Sequence, residues 1–371
     1  MPSEITNHKC PACTGPLRYD TSGKLVCDYC GNVFSIKEIE ALYPESGFSE
    51  FSDTAENGGS ANTDSPEWEY QSEWGEEASN LKVYNCPSCG AQLFCEETTA
   101  ATSCPYCGNN TIIPSQFSGD LKPDFVIPFK YTKEQAISRL NDFYKDKKLL
   151  PKEFEDKNHI EEIKGVYIPF WLYDGTVSAD VQCNATKVNV SRIGDEQITT
   201  TEFYSVQRSG DISFAKIPAD ASSKAPDIYM DAIEPFDYSE LVPFSTAYLP
   251  GFLADIYDVS AQDAASRILK RAVDSSLSIV KQDISGFSTC NVLSQNAEMH
   301  DGYVHYALMP VWILSTRWND KLYLFTMNGQ TGKMIGDLPV SRKKYFKYFA
   351  SIALPMMAIL SYFLIWGEML F

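Results

Sequence analysis

The chain has 371 residues, a length for two or three domains, and its hydrophobic content of 44% suits packed cores. Its 49 acidic residues outweigh 31 basic ones, for a formal net charge of −18, which excludes broad binding to a phosphate backbone because that needs clustered Lys and Arg. The start, MPSEITNHKC, has neither the basic head nor the apolar run of a cleaved secretory signal.

Residues 1–43 read as a first zinc ribbon with a short helix. Two CxxC pairs, Cys10/Cys13 and Cys27/Cys30, flank a loop of 13 residues. In the SIKEIEAL that follows, Ser35 and Glu38 have capping-box spacing, with Ile36, Ile39 and Leu42 on one face. Residues 44–80 hold ten Asp or Glu and no Lys or Arg, with many Ser and Gly, and predict an acidic disordered linker. Its aromatics (Phe48, Phe51, Trp68, Tyr70, Trp74) make it either a solvated spacer or a binding segment.

Residues 81–118 read as a second ribbon, with Cys86/Cys89 and Cys104/Cys107. Zn²⁺ takes four soft ligands in a tetrahedron, and a CxxC turn aims two sulfurs at one point. Gly31, Gly90 and Gly108 follow the second cysteine of a pair, where such a turn needs positive φ; Thr14 departs from this, with Gly15 next. Four thiolates close the coordination shell, so both zinc sites are predicted to be structural, supplying folding energy that units this small cannot draw from an apolar core. A thioredoxin-like redox reading fits poorly, because that motif stands alone at a helix start. Cys95, Cys183 and Cys290 read as small apolar strand residues, Cys95 with the alternative of a spare thiol. His8, His159, His300 and His305 form no metal motif or triad. GQTGK at 329–333 is too short for a phosphate loop, there is no GxGxxG, and the carboxylate pairs at 96–97 and 161–162 carry no acid/base signature. No catalytic set is expected.

Residues 119–341 have the texture of an α+β domain with a weak internal repeat, over about 121–190 and 240–341. DFVIPF leads to a helix boxed by Thr132 and Gln135, then to the strand-like KGVYIPFWLYDGTVSADVQC. ELVPF and AYLPGFLADIYDV lead to a helix from Ser260, with Ala264, Ile268, Leu269, Ala272, Val273, Leu277 and Val280 as its apolar positions, then to HYALMPVWILSTRW. YIPFW thus matches LMPVW, and the prolines predict edge strands or bulges at matched places. TMNGQTGKMIG carries a hairpin signal.

Residues 342–371 read as a basic flank, RKKYFK, and an anchor. Tyr348–Trp366 is uncharged over 19 residues, about 28 Å as a helix, close to the bilayer core. With Arg342, Lys343, Lys344 and Lys347 before it, the positive-inside rule predicts a single-pass protein of the cell membrane with its N-terminal part in the cytoplasm. The expected fold class is therefore α+β: two small zinc ribbons, a duplicated helix-plus-antiparallel-sheet domain and one C-terminal transmembrane helix.

The quartets resemble transcription-factor-IIB-type and rubredoxin-type zinc ribbons. With GVYIPFWLYDG and the apolar C-terminus, the chain resembles a family of uncharacterised bacterial zinc-ribbon-containing membrane proteins, sometimes labelled primosomal-helicase-like. The helicase label implies a phosphate loop that this sequence lacks. These features predict a non-enzymatic adaptor or scaffold that binds proteins and meets the bilayer through 348–366, with no small-molecule substrate. The alternatives are a nucleic-acid-binding ribbon protein and an enzyme of unknown type in 121–341. The nucleic-acid reading rests on Lys9, Arg18, Lys24 and Lys37, set against five acids in residues 1–43.

Overall fold

The structure, a computed structural model, describes residues 10–368 except 14, 16, 21–22, 28, 43–73, 76–77, 79–80, 97–98, 100–102, 111, 116–120, 146, 158–161 and 194–195, with the side chains of 40, 42, 96, 115, 155–157, 301 and 362–368 also outside the description. The predicted linker at 44–80 therefore lies outside the described residues except for Trp74, Gly75 and Ala78. Trp74 packs edge-on against Phe94 and Phe244, with ring centroids 6.0 and 5.7 Å away.

The first unit is a three-stranded antiparallel sheet, β1 (Leu17–Tyr19), β2 (Lys24–Cys27) and β3 (Val33–Ser35), followed by helix α1 (Ile36–Leu42). The capping box closes α1 reciprocally: the Ser35 N–H donates to Glu38 Oε2 at 2.7 Å and the Glu38 N–H to Ser35 Oγ at 3.2 Å. Tyr19 seats this unit on the rest of the chain, edge-on to Phe252 and tilted against Tyr248.

The next strands, β4 (Leu81–Asn85), β5 (Gln92–Glu96) and β6 (Ile113–Ser115), belong to the second cysteine unit. After them come β7 (Phe125–Val126), α2 (Lys133–Lys145), α3 (Lys152–Lys157), β8 (Lys164–Ile193), β9 (Glu196–Asp220), α4 (Asp227–Ile233), β10 (Val242–Pro243), β11 (Leu253–Asp255), α5 (Ala261–Asp283), β12 (Thr289–Trp318), β13 (Lys321–Asn328), β14 (Met334–Gly336) and α6 (Arg342–Glu368). Among the described residues, eleven of these strands form one sheet in the order β10-β7-β12-β8-β11-β5-β4-β6, with β9 beside β8 and β13 then β14 beside β12. The second cysteine unit joins this sheet through β5, where Phe94 faces Ala254 and Leu93 faces Asp255. Helix α5 lies along the long strands; its Leu277 and Val280 bury against Ala179 and Val181 of β8.

The sheet corrects the expected fold class. It is mixed rather than antiparallel, since β7 runs parallel to β12 and β11 parallel to β8. The prolines of YIPFW and LMPVW are not on edges either. β8 and β12 are neighbours, and the two motifs face each other, Tyr167 opposite Pro310 and Pro169 opposite Leu308. The Pro169 carbonyl accepts from the Ala221 N–H at 2.9 Å and the Pro310 carbonyl from the Gly329 N–H at 2.8 Å, both on the side away from the other motif. On that side β8 passes from partner β11 to partner β9, and β12 passes from β7 to β13. The missing N–H of each proline thus falls where no continuous ladder needs it.

The expected transmembrane helix, and with it the single-pass membrane localisation, is also corrected: among the described residues no helix is long and apolar enough to cross a membrane. The described side chains of α6 reach Ser361, so the uncharged stretch from Tyr348 covers about 21 Å against a core of about 30 Å; the rest of the predicted span lies outside those side chains. The basic flank is also engaged with protein. Lys344 Nζ donates to the Leu150 carbonyl at 2.6 Å, and the Ser341 N–H to the Leu149 carbonyl at 2.9 Å.

Candidate metal centres

Each cysteine pair sits in a tight turn. The Cys27 N–H donates to the Asn32 carbonyl and the Gly31 N–H returns to the Cys27 carbonyl, both at 2.9 Å. Cys86 and Cys104 repeat this with Ala91 and Gly90, and with Asn109 and Gly108. Gly31, Gly90 and Gly108 have φ of 72°, 73° and 69°, the left-handed conformation that closes the turn. In the first pair the Cys10 N–H donates to the Gly15 carbonyl at 2.8 Å, while position 14 lies outside the described residues.

These turns bring all eight predicted ligands into two quartets, Cys10, Cys13, Cys27, Cys30 and Cys86, Cys89, Cys104, Cys107, with the sulfurs of each quartet within 4.8 Å of one another. Cys10 and Cys30 approach to 3.5 Å, Cys13 and Cys27 to 3.4 Å, and Cys86–Cys107 and Cys89–Cys104 to 3.6 Å. A tetrahedral zinc with Zn–S bonds of about 2.3 Å needs sulfurs about 3.8 Å apart, so both quartets fit a structural Zn²⁺ and leave no ligand position for water.

The thiols are not equivalent. N–H groups of Cys30 and Tyr29 bring Cys27 down to about 7. Burial raises Cys86, but N–H groups of Cys89 and Ser88 outweigh it and leave it near 7. The Gly15 N–H favours the Cys13 thiolate, yet bonds to Cys30 and Cys27 push it up to about 12. Burial leads the rise of Cys89 to about 11. Four thiols this close cannot all ionise without a cation to balance them.

The two sites differ in setting. Cys13 and Cys30 of the first are exposed, and Tyr29 and Val33 beside them are 79% and 52% exposed. The second is built into the core: Cys86, Cys104 and Cys107 are buried, and Lys164 Nζ donates to the Ser103 carbonyl at 2.5 Å. Tyr106, between two ligands, donates its hydroxyl to Asp255 Oδ2 at 2.5 Å, and Ser222 donates to the same oxygen at 2.6 Å. Burial pushes Asp255 up to about 7 although both donors favour the carboxylate.

Cys95 is buried, its thiol directed at the Thr99 carbonyl. Cys183 and Cys290 come together, sulfur to sulfur at 2.8 Å. His8 and His159 lie outside the described residues, and GQTGK forms the β13–β14 turn, where the Asn328 N–H donates to the Lys333 carbonyl. Sequence reasoning missed His305. Its Nδ1 is 3.7 Å from Asp124 Oδ2 and its Nε2 3.4 Å from Asp174 Oδ2, and these carboxylates raise it to about 9. A bulge sets Asp174, because Ala215 and Lys216 both stand opposite it on β9, and the Lys216 N–H donates to its carboxylate at 2.5 Å. Asp124 and Asp174 are 50 residues apart in the chain, so no local pattern announces the cluster.

Residues 9–38 match the Trm112p-like protein family. The chain is 34% identical over 319 residues to the uncharacterized protein YdjG of Bacillus subtilis (strain 168), an alignment that covers 73% of this chain and 94% of that protein. No solved structure matches.

Proposed function

We propose that this chain, which belongs to the family of the Bacillus subtilis protein YdjG, is a two-zinc adaptor that binds other proteins and carries out no catalysis of its own. The observation that carries this reading is the contrast between the quartets. Both are closed four-thiolate sets, so their metals serve shape. The second is buried in the sheet, whereas the first holds Tyr29 and Val33 out to solvent. A large aromatic and a β-branched residue on a zinc-stiffened turn form a rigid apolar contact of the sort that anchors protein interfaces. The match of residues 9–38 to Trm112p-like proteins supports protein partners, and the acidic balance argues for a protein over a nucleic acid.

The test is affinity capture with the full chain, zinc loaded, beside a Tyr29→Ser/Val33→Ser variant that still holds two zinc ions. A stoichiometric protein partner retained by the first and lost by the second is expected. A partner kept equally by both removes the first ribbon from the reading, and recovery of none overturns it.

A further inference from the structure

The chain has three cysteines outside the quartets, and two of them meet. Cys183 on β8 faces Val292, and Cys290 on β12 faces Ala185. Residues two apart in a strand share a face, so Cys183 and Cys290 are diagonal neighbours on one face. Cys290 directs its thiol at the Cys183 sulfur, 2.8 Å away. In the quartets the nearest sulfurs stand 3.4–3.6 Å apart, close to the roughly 3.8 Å of a tetrahedral zinc. The pair is closer than a zinc ion would permit, and no third ligand accompanies it among the described residues. This spacing suits a bond between the sulfurs.

The surroundings divide the roles. Cys290 is exposed, and Cys183 is wholly buried under Ile284 and Phe287, which belong to the end of α5 and the turn into β12. The bond from Cys290 pushes the Cys183 thiol up to about 11, although the Arg208 guanidinium favours its thiolate. Cys183 is therefore held as a thiol until its neighbour changes. Beside the pair, the Ser288 N–H donates to the Thr186 carbonyl at 2.7 Å and the Thr186 and Thr289 hydroxyls bond at 2.5 Å, fixing the register.

We propose that Cys183 and Cys290 are a reversible thiol–disulfide pair oxidised by a hydroperoxide, with Cys290 as the reacting thiol and Cys183 as the resolving one. The Cys290 thiolate attacks the terminal peroxide oxygen, the O–O bond breaks, and a sulfenic acid and one water or alcohol form. The Cys183 thiolate then attacks the Cys290 sulfur, the S–S bond forms, the S–O bond breaks and a second molecule, water, leaves. Two thiols lose two electrons and two protons, and the peroxide takes up both. The bond ties β8 to β12 beneath the α5–β12 turn, and a low-molecular-weight dithiol reverses it.

The experiment uses the full chain with both zinc ions, titrated with hydrogen peroxide, followed by alkylation and peptide mass mapping while a chromogenic chelator reports zinc release. A linked 183–290 peptide pair lacking two hydrogens should form before zinc is released, and amide exchange over 284–292 should slow about tenfold. Cys183→Ser should leave Cys290 as a sulfenic acid trapped by dimedone, and Cys290→Ser, at an exposed site, should leave Cys183 reduced. The proposal is overturned if the link appears only after zinc is lost. Oxidation of Cys290 to a sulfinic acid with Cys183 still free also overturns it, as does oxidation of Cys183 in the Cys290→Ser chain.

Discussion

Tyr106 and Asp255 are 149 residues apart, yet the tyrosine hydroxyl lies 2.5 Å from the carboxylate in a fully buried contact. Tyr106 belongs to the second cysteine unit and Asp255 to the β11 strand that receives it. Tyr106→Phe removes one of the two side-chain donors to Asp255 and should cost about 1–2 kcal/mol in urea denaturation, with both zinc ions retained by metal analysis.

Loss of either zinc should have unequal consequences. Cys13→Ser should drop the bound metal to one equivalent and open residues 10–42 to protease while the large sheet stays folded. Cys104→Ser removes a buried ligand from a unit that shares its sheet with β11, so the main thermal transition itself should fall. Zinc stoichiometry and limited proteolysis of the two variants separate these outcomes.

His305 predicts a pH dependence. Its folded value, about 9, lies above the ordinary 6.5, because Asp124 and Asp174 favour the imidazolium. The stabilisation is complete below about pH 6.5 and is lost as pH rises through about 9. Its size is about 2 kcal/mol after screening. Urea titrations at pH 6 and pH 9.5 should differ by that amount in the native chain and by much less in His305→Gln, set against the remaining pH dependence.

Gly165 and Gly329 enclose an aromatic stack. Phe129 and Phe252 lie parallel, 4.1 Å between centroids. A Cβ on Gly165 would come 2.5 Å from the Phe252 ring, and one on Gly329 would come 2.6 Å from the Phe129 ring. Gly165→Ala should therefore cost about 1–3 kcal/mol by overpacking, seen as a lower urea midpoint with unchanged slope.

What could be read from the sequence follows contact distance along the chain. The zinc ligands and the Ser35–Glu38 and Thr132–Gln135 capping boxes were legible because their partners lie within one turn or one short loop; in the second box the Thr132 N–H donates to Gln135 Oε1 at 2.9 Å. The apolar stripe of α5 was legible for the same reason: Ala264, Ile268, Ala272, Leu277 and Val280 repeat at helical spacing and are buried. The Asp124–His305–Asp174 cluster, the Tyr106–Asp255 bond and the Cys183–Cys290 contact are products of strand pairing, which no local pattern encodes. Pro169 and Pro310 misled for a related reason, since a proline signals that a ladder bond is absent without saying whether an edge or a change of partner accounts for it. The basic flank misled because a count of charges does not register that Lys344 is held by the Leu150 carbonyl.

The joining of β5 to β11 also sets a schedule for synthesis. Residues 92–96 leave the ribosome about 160 residues before Leu253–Asp255, the strand that covers their open edge. At ordinary rates of translation that interval is roughly 8–30 s. During it Leu93 and Phe94, fully enclosed in the finished protein, lack that cover beside four thiols competent to bind metal. Early capture of zinc would give the nascent unit a shape in which to wait. Cells short of zinc should then accumulate this protein as aggregate formed during translation, at unchanged stability of the chains already complete.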